Sequence, residues 1–131
     1  MIALDTNVVV RFLVEDDRKQ AARAHAHLRR AAAENTQLYV PGIVFCEIVW
    51  VLDSAYGFRR EEIATVLTRL LQTRQLTFGS PHHIAEALEA YRTGRGDFAD
   101  YIIRAEAVAV GCEATVTFDK ALLREEGFRA P

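Results

Sequence analysis

Leu4-Asp5-Thr6-Asn7-Val8 places a carboxylate directly after the short apolar run Ile2-Ala3-Leu4. Such a run predicts a first strand, and the strand would deliver Asp5 to the carboxyl edge of a sheet, where open α/β folds keep their ligands. The same arrangement recurs near the other end of the chain, where the apolar residues 114–118 lead into Asp119. Two strands that each end in an aspartate predict one acidic site.

Two further acids stand in predicted helices. Residues 43–52 read Ile-Val-Phe-Cys-Glu-Ile-Val-Trp-Val-Leu, in which Glu47 is the only charged residue. A helix of this composition is apolar on every side, so we expect Glu47 to be buried and to require a partner or a cation. Asp100 opens a later helix. The residues that follow it on the same stripe are all apolar: Ile103, Ala107 and Val110. We therefore expect Asp100 to point inward as well.

These four acids define the predicted chemistry: Asp5, Glu47, Asp100 and Asp119. Brought together, they would repel one another strongly without a counter-charge. The neighbouring inward positions carry no basic residues, so we expect the counter-charge to come from outside the chain. A hard divalent cation fits, because Mg²⁺ and Mn²⁺ prefer carboxylate oxygens. Such an ion can polarise a phosphodiester, activate a water and stabilise the leaving oxygen. The four acids are thus predicted to be both metal ligands and catalytic residues.

Four motifs along the chain surround these acids. They are Ile2-Ala3-Leu4-Asp5-Thr6-Asn7, Pro41-Gly42-Ile43-Val44-Phe45-Cys46-Glu47, Asp97-Phe98-Ala99-Asp100-Tyr101-Ile102-Ile103 and Thr115-Val116-Thr117-Phe118-Asp119-Lys120. Each motif alone is weak, because an aspartate after an apolar run is common. Together, in this order, they resemble the PIN-domain ribonucleases, and within that family the VapC toxins of toxin–antitoxin pairs. The resemblance covers nearly the whole chain.

The resemblance implies a fold, an activity and partners. The fold would be one PIN-like domain over residues 1–131, an α/β/α sandwich on a mostly parallel sheet. The activity would be that of a Mg²⁺- or Mn²⁺-dependent endoribonuclease toxin that cleaves structured RNA such as tRNA or rRNA. The protein would form a homodimer and be neutralised by a VapB-like antitoxin. The resemblance also makes Thr6 and Thr117 candidate hydrogen-bond partners of the metal ligands.

Supporting roles remain open for several polar residues. Thr6 and Asn7 are also suited to capping the first helix through their side chains. Asp97 is suited to the N-cap of a helix in which Asp100 falls at the third position, N3. We therefore expect Asp100 to be the direct ligand and Asp97 to be a cap or a residue that supports the ligands.

The apolar helix also bears on partners. Its large apolar residues lie on different sides: Phe45, Val49, Trp50 and Val51. This is more apolar surface than one small core covers, and an exposed remainder marks an interface. We expect homodimerisation and antitoxin capture by the hairpin of this helix and the next one. The alternative is that the helix is simply the central core element.

Composition is compatible with this interpretation. With 131 residues, 50% hydrophobic content and a mean hydropathy of +0.01, the chain is expected to be one soluble domain large enough to bury a core. Neither a membrane-spanning run nor a secretion signal is evident, so we expect a cytoplasmic protein. The net charge is −2, but removing the four candidate ligands leaves +2. That remainder is compatible with RNA. Arginine also outnumbers lysine, which suits phosphate binding but is explained equally well by a GC-rich coding sequence.

Parts of the sequence also fit other interpretations. Asp5 and Asp119 could be turn residues at strand ends, and Glu47 could form a buried ion pair with an arginine. A phosphoacceptor signalling domain requires two acids after the first strand, but Asp5 is followed by Thr6 and Asn7. A haloacid-dehalogenase-like phosphatase requires a second aspartate at the position of Asn7. Both classes are therefore disfavoured. The stronger alternative is a catalytically silent PIN-fold module that binds RNA or protein.

Overall fold

The strand predicted at the N-terminus forms as β1 (Ile2–Ala3) in a computed structural model that describes all residues 1–131. The chain divides into two compact units, Met1–Gly79 and Ser80–Pro131. The elements of the first unit are β1, α1 (Thr6–Leu13), α2 (Arg18–Ala33), β2 (Leu38–Val40), α3 (Gly42–Ser54), α4 (Arg60–Leu71) and β3 (Leu76–Phe78). Helices thus alternate with strands, as in the α/β fold that the resemblance implies.

The three strands of the first unit form a parallel sheet in the order β1-β2-β3. Ile2 is opposite Leu38, and Leu38 is opposite Leu76. Because parallel strands all end at the same edge, the segments after β1 and β2 leave this edge together, and α1 and α3 begin there. The predicted α/β class with parallel strands is confirmed.

The core of the first unit lies beneath α3 and α4. Phe45, Ile48 and Leu52 on α3 are fully buried, and Ile63 and Leu67 on α4 are buried to the same degree. The ring of Phe45 also meets the ring of Phe78 at the end of β3, edge to face, with centroids 5.4 Å apart. Burying large side chains of this kind stabilises a fold by about 1.5–3 kcal/mol each. This packing fixes α3 relative to the sheet.

A polar cluster fixes α1 relative to its neighbours. The guanidinium of Arg11 donates to Gln20 at 2.6 Å, to Asp16 at 3.2 Å and to the Tyr56 hydroxyl at 3.2 Å. The Tyr56 hydroxyl in turn donates to Asp16 at 2.7 Å, and this bond is the largest cause of the lowered pKa of Asp16. The start of α2 is further stabilised by Asp17, whose side chain accepts the N–H of Gln20 at 3.0 Å.

The second unit contains α5 (Pro81–Thr93), α6 (Phe98–Ala109), β4 (Thr115–Val116), a 3-10 turn (Leu122–Arg124) and β5 (Phe128–Arg129). The rings of Tyr91 on α5 and Phe98 on α6 pack edge to face, with centroids 6.0 Å apart. β4 and β5 pair in parallel, with Thr115 opposite Phe128. β5 was not predicted from the sequence.

No helix combines the length and the apolar character that crossing a membrane would require.

Candidate functional site

Asp5 follows β1 and occupies the N-cap position of α1. Its backbone carbonyl accepts the N–H groups of Val8 and Val9, at 3.1 Å and 3.3 Å, which starts the helix. Its side chain forms no capping hydrogen bond and is exposed. The carboxylate at this edge of the sheet is therefore not used by the fold and is available to a ligand.

Thr6 provides a second feature of this edge. The residue is buried, and its hydroxyl oxygen has no hydrogen-bond partner. Thr6 is the first residue of α1 and not its cap, so the capping role considered for it is not observed. A buried hydroxyl without a partner costs about 1–3 kcal/mol. Because the unused Asp5 carboxylate is adjacent, a polar ligand bound there, or a water on that ligand, could supply the missing hydrogen bond of the Thr6 hydroxyl. Asn7, the second residue of α1, is exposed and does not occupy the cap position either.

The predicted burial of Glu47 was wrong. Glu47 is exposed, on a stripe of α3 that also exposes Ile43 by 65% and Trp50 by 70%. The apolar composition of residues 43–52 does not surround the helix with core, because α3 buries only the face that contains Phe45, Ile48 and Leu52. Glu47 therefore has no need of an internal ion pair, and its carboxylate is open to solvent and to a ligand.

Asp97 and Asp100 occupy the helix positions that the sequence predicted. Asp97 is the N-cap of α6, and Asp100 lies at N3. The Asp100 Oδ2 atom accepts the backbone N–H of Asp97 at 2.9 Å, and the Asp97 carbonyl accepts the N–H of Asp100 at 3.0 Å. The bond from the Asp97 N–H to the Asp100 side chain is one half of a capping box, whose other half joins the Asp97 side chain to the N–H of Asp100, and it holds the Asp100 side chain in one orientation. Its other carboxylate oxygen has no such role.

The inward direction expected for the Asp100 stripe was wrong. Ile103 is 52% exposed and Val110 is 81% exposed, whereas α6 buries Phe98, Tyr101 and Ala105. The difference arises because the aromatic residues of α6 lie on a neighbouring face and direct that face to α5. Asp100 itself is half-buried.

Asp100 lies in a strongly negative environment. Partial burial is the largest cause that raises its pKa, and the charges of Asp97, Asp119 and Glu125 raise it further. The hydrogen bond from the Asp97 N–H acts in the opposite direction. The largest causes of this shift include no Lys or Arg. A bound cation would relieve this repulsion.

Asp119 ends the segment after β4 and is exposed. Its Oδ1 atom accepts the N–H of Ala121 at 2.8 Å, and its own N–H donates to the Thr117 hydroxyl at 3.0 Å. Asp119 is thus a turn residue, as one interpretation held, and Thr117 stabilises the turn. The second carboxylate oxygen of Asp119 has no hydrogen bond within the chain.

Tyr101 and Glu125 were missed by sequence reasoning. The Tyr101 hydroxyl accepts the N–H of Gly96 at 2.9 Å and donates to Glu125 Oε1 at 3.0 Å. The same oxygen accepts the N–H of Arg95 at 2.8 Å. The two side chains thereby fix the segment that enters α6 just before Asp97. The glycines at positions 94 and 96 were the available signal, because they permit the close approach of a large side chain.

Gly94→Ala should destabilise the protein by about 1–3 kcal/mol, because a β carbon there would overlap the Tyr101 hydroxyl and lie 2.8 Å from the Ala90 carbonyl oxygen. Denaturant unfolding measures the change. Thr93→Ala, at the exposed neighbouring position, should be nearly neutral. Equal stability of Gly94→Ala and the wild type would show that the segment adapts without cost.

The donor set is compatible with a hard cation. Asp100 and Asp119 in the second unit, like Asp5 and Glu47 in the first, offer carboxylate oxygens, which Mg²⁺ and Mn²⁺ prefer. In the first unit, the Thr6 hydroxyl without a partner agrees with a polar ligand. In the second unit, the negative charge around Asp100 agrees with a cation. No three His, Cys, Asp or Glu side chains are gathered in a metal-binding arrangement.

Comparison with known proteins agrees with the four motifs. The PIN domain profile matches residues 2–126, which is nearly the whole chain. A VapC ribonuclease from Aquifex aeolicus (strain VF5) is 26% identical over 129 residues, which cover 98% of this chain and 94% of that relative. The resemblance inferred from the sequence is thereby confirmed, and the chain belongs to the PIN domain family.

Proposed function

We propose that this protein is a metal-dependent endoribonuclease of the VapC type, a cytoplasmic toxin that cleaves structured RNA such as tRNA or rRNA and is neutralised by a VapB-like antitoxin. The proposal rests on the match to the PIN domain over residues 2–126 together with the acids that its motifs place at the site. Around Asp100, partial burial and then the charges of Asp97, Asp119 and Glu125 raise the pKa of its carboxyl. Like charges held close together destabilise a fold, and they are common at functional sites. A nuclease that binds a cation at these acids would offset the repulsion.

The proposed ligands of Mg²⁺, or of Mn²⁺, are Asp5, Glu47, Asp100 and Asp119. When bound, the cation would polarise the scissile phosphodiester and lower the pKa of the attacking water. The chain supplies the positioning: the Asp97 N–H orients Asp100, and the Thr117 hydroxyl supports the turn that presents Asp119. The exposed carboxylate of Glu47 can accept a proton from water. Both units, residues 1–131, act as one PIN domain in this proposal.

Sequencing of RNA 5′ ends in cells tests the activity and names the substrate together. Cells that express the wild-type chain should accumulate new 5′ ends at a few defined positions in tRNA or rRNA, and cells that express Asp5→Asn should not. Identical 5′ ends in both cultures would contradict the nuclease proposal and favour a catalytically silent module.

The exposed stripe of α3 supports the proposed partners. Phe45 and Val49 are in the core, but Ile43 and Trp50 remain exposed. A tryptophan exposed by 70% beside an exposed isoleucine is an apolar surface of the kind that interfaces cover. We propose that this stripe, at the hairpin of α3 and α4, contributes to a homodimer and to antitoxin binding.

Trp50→Ala should weaken self-association by about thirtyfold, because a tryptophan at the centre of an interface contributes about 2 kcal/mol or more. Light scattering over a range of protein concentrations measures the change. Lys19→Ala, at an exposed position of α2 and away from this stripe, should leave the dimer unchanged. A wild-type protein that is monomeric at micromolar concentration would contradict the prediction.

A further inference from the structure

The helix α2 carries charge of one sign only. Its sixteen residues include no acid and five basic residues: Arg18, Lys19, Arg23, Arg29 and Arg30. The chain as a whole has a net charge of −2, so this helix stands out against an otherwise acidic protein. A basic helix in such a chain gives a local attraction for anions that the net charge conceals.

Part of this charge lines a cleft between α1 and α2. The cleft has a volume of about 620 Å³, within the range of ~300–1,000 Å³ that is usual for ligand clefts. One wall presents Arg23, His27 and Arg30, which lie on a single face of α2 because they are spaced by four and three residues. The other wall includes Leu4, Val8 and Arg11.

The arginines of the two walls differ in their partners. Arg11 is held by Asp16 in the cluster described above, so its charge is largely offset. Arg23 and Arg30 form no ion pair with a carboxylate, and the only side-chain bond of Arg30 is to the ring nitrogen Nδ1 of His27, at 3.3 Å. Both guanidinium groups are exposed. The α2 wall therefore has two positive charges available to an anion.

The cleft adjoins the candidate catalytic edge. Leu4 and Asn7, the residues on either side of the Asp5-Thr6 pair, both line it. A polymer lying along the α2 wall would therefore reach the end of β1, where the Asp5 carboxylate is exposed. The apolar side chains of Leu4 and Val8 offer contact surface for ribose and base.

We propose that the cleft between α1 and α2 binds the phosphodiester backbone of a single-stranded RNA segment, with Arg23 and Arg30 contacting two phosphates of the strand and leading it to Asp5. The assignment rests on the proposed ribonuclease function and names the surface that receives its substrate. Guanidinium groups bind phosphate bidentately and stack on bases, and every nucleotide of an RNA strand supplies both a phosphate and a base.

The test uses the 131-residue chain with the Asp5→Asn substitution, so that the RNA is not cleaved during the measurement. The probe is a fluorescein-labelled single-stranded oligoribonucleotide. Binding is followed by anisotropy across a salt series. Arg23→Gln with Arg30→Gln should raise the Kd about tenfold and reduce the slope of log K against log salt by about 1.4, since each phosphate contact on a single strand contributes about 0.7. Arg18→Gln with Arg29→Gln removes the same charge from another face of the same helix and should leave the slope nearly unchanged.

Equal losses in the two double variants would overturn the assignment, because general charge and not this face would then bind RNA. An unchanged slope in the Arg23→Gln, Arg30→Gln double variant would also overturn it. That result is the one expected if the cleft binds an acidic protein and not RNA. Circular dichroism verifies that the variants fold. Failure of this proposal can be distinguished from failure of the proposed function. If RNA binding depends on Arg23 and Arg30 but the protein with Asp5 intact does not cleave RNA, the nuclease proposal is contradicted and the RNA-binding proposal is supported.

Discussion

Asp5→Asn should lower the rate of RNA cleavage by at least about a hundredfold, because a catalytic cation contributes several kcal/mol and each ~1.4 kcal/mol is tenfold in rate. The amide is nearly the same size as the carboxylate but is a weaker ligand for a hard cation. The fold should not suffer, since the Asp5 side chain forms no hydrogen bond in the chain and only its backbone starts α1.

Two measurements make this result specific. Cleavage of a purified RNA substrate gives the rate, and denaturant unfolding shows whether stability is retained. Asp53→Asn removes the same charge from an exposed position of the first unit and should cleave like the wild type. Full activity in Asp5→Asn would remove this residue from the site.

Asp100→Asn and Asp97→Asn should have very different effects on cleavage. Asparagine is also a good N-cap, so Asp97→Asn should keep much of the activity. Asp100→Asn should lose nearly all of it, a loss of about a hundredfold or more if Asp100 binds the cation directly. Kinetics at saturating Mg²⁺ measure both. Equal losses would make Asp97 a direct ligand, and loss in Asp97→Asn alone would reverse the assignment.

The stability of Asp100→Asn separates repulsion from catalysis. Because the folded state raises the pKa of Asp100 above its ordinary value of 3.8, ionising this carboxyl costs stability as the pH rises through that region. The cost is absent when the group is protonated in both states. In metal-free buffer, Asp100→Asn should therefore be more stable than the wild type at neutral pH, and this advantage should disappear below about pH 3.8. An advantage that does not depend on pH would have another cause.

Local patterns in the sequence were sufficient for the elements and for several positions in the site. β1 forms within the apolar run before Asp5, and Asp97 and Asp100 take the predicted N-cap and N3 positions, because caps depend on nearby residues. β5 could not be predicted, since its two residues are held mainly by backbone bonds to the β4 segment, such as the Thr117 N–H to the Arg129 carbonyl at 3.0 Å.

Burial was the harder quantity to predict. An apolar helix does not reveal which face meets the core, because that choice depends on elements distant in the sequence. Glu47 was therefore expected inside and lies outside, beside Trp50. The Tyr101–Glu125 contact was missed for the same reason, as it joins residues 24 positions apart. The acids themselves were identifiable from their motifs, while their surroundings required the structure.

The central claim is that a cation held by carboxylates is the source of the activity. Its most direct test is to strip the purified protein of metal and measure RNA cleavage as metal is added back. The wild type should cut a tRNA or rRNA fragment on addition of Mg²⁺ or Mn²⁺ and stop when EDTA is added, while Asp5→Asn should remain inactive at every metal concentration. RNA cleavage that continues in EDTA and is retained by Asp5→Asn would contradict the metal mechanism.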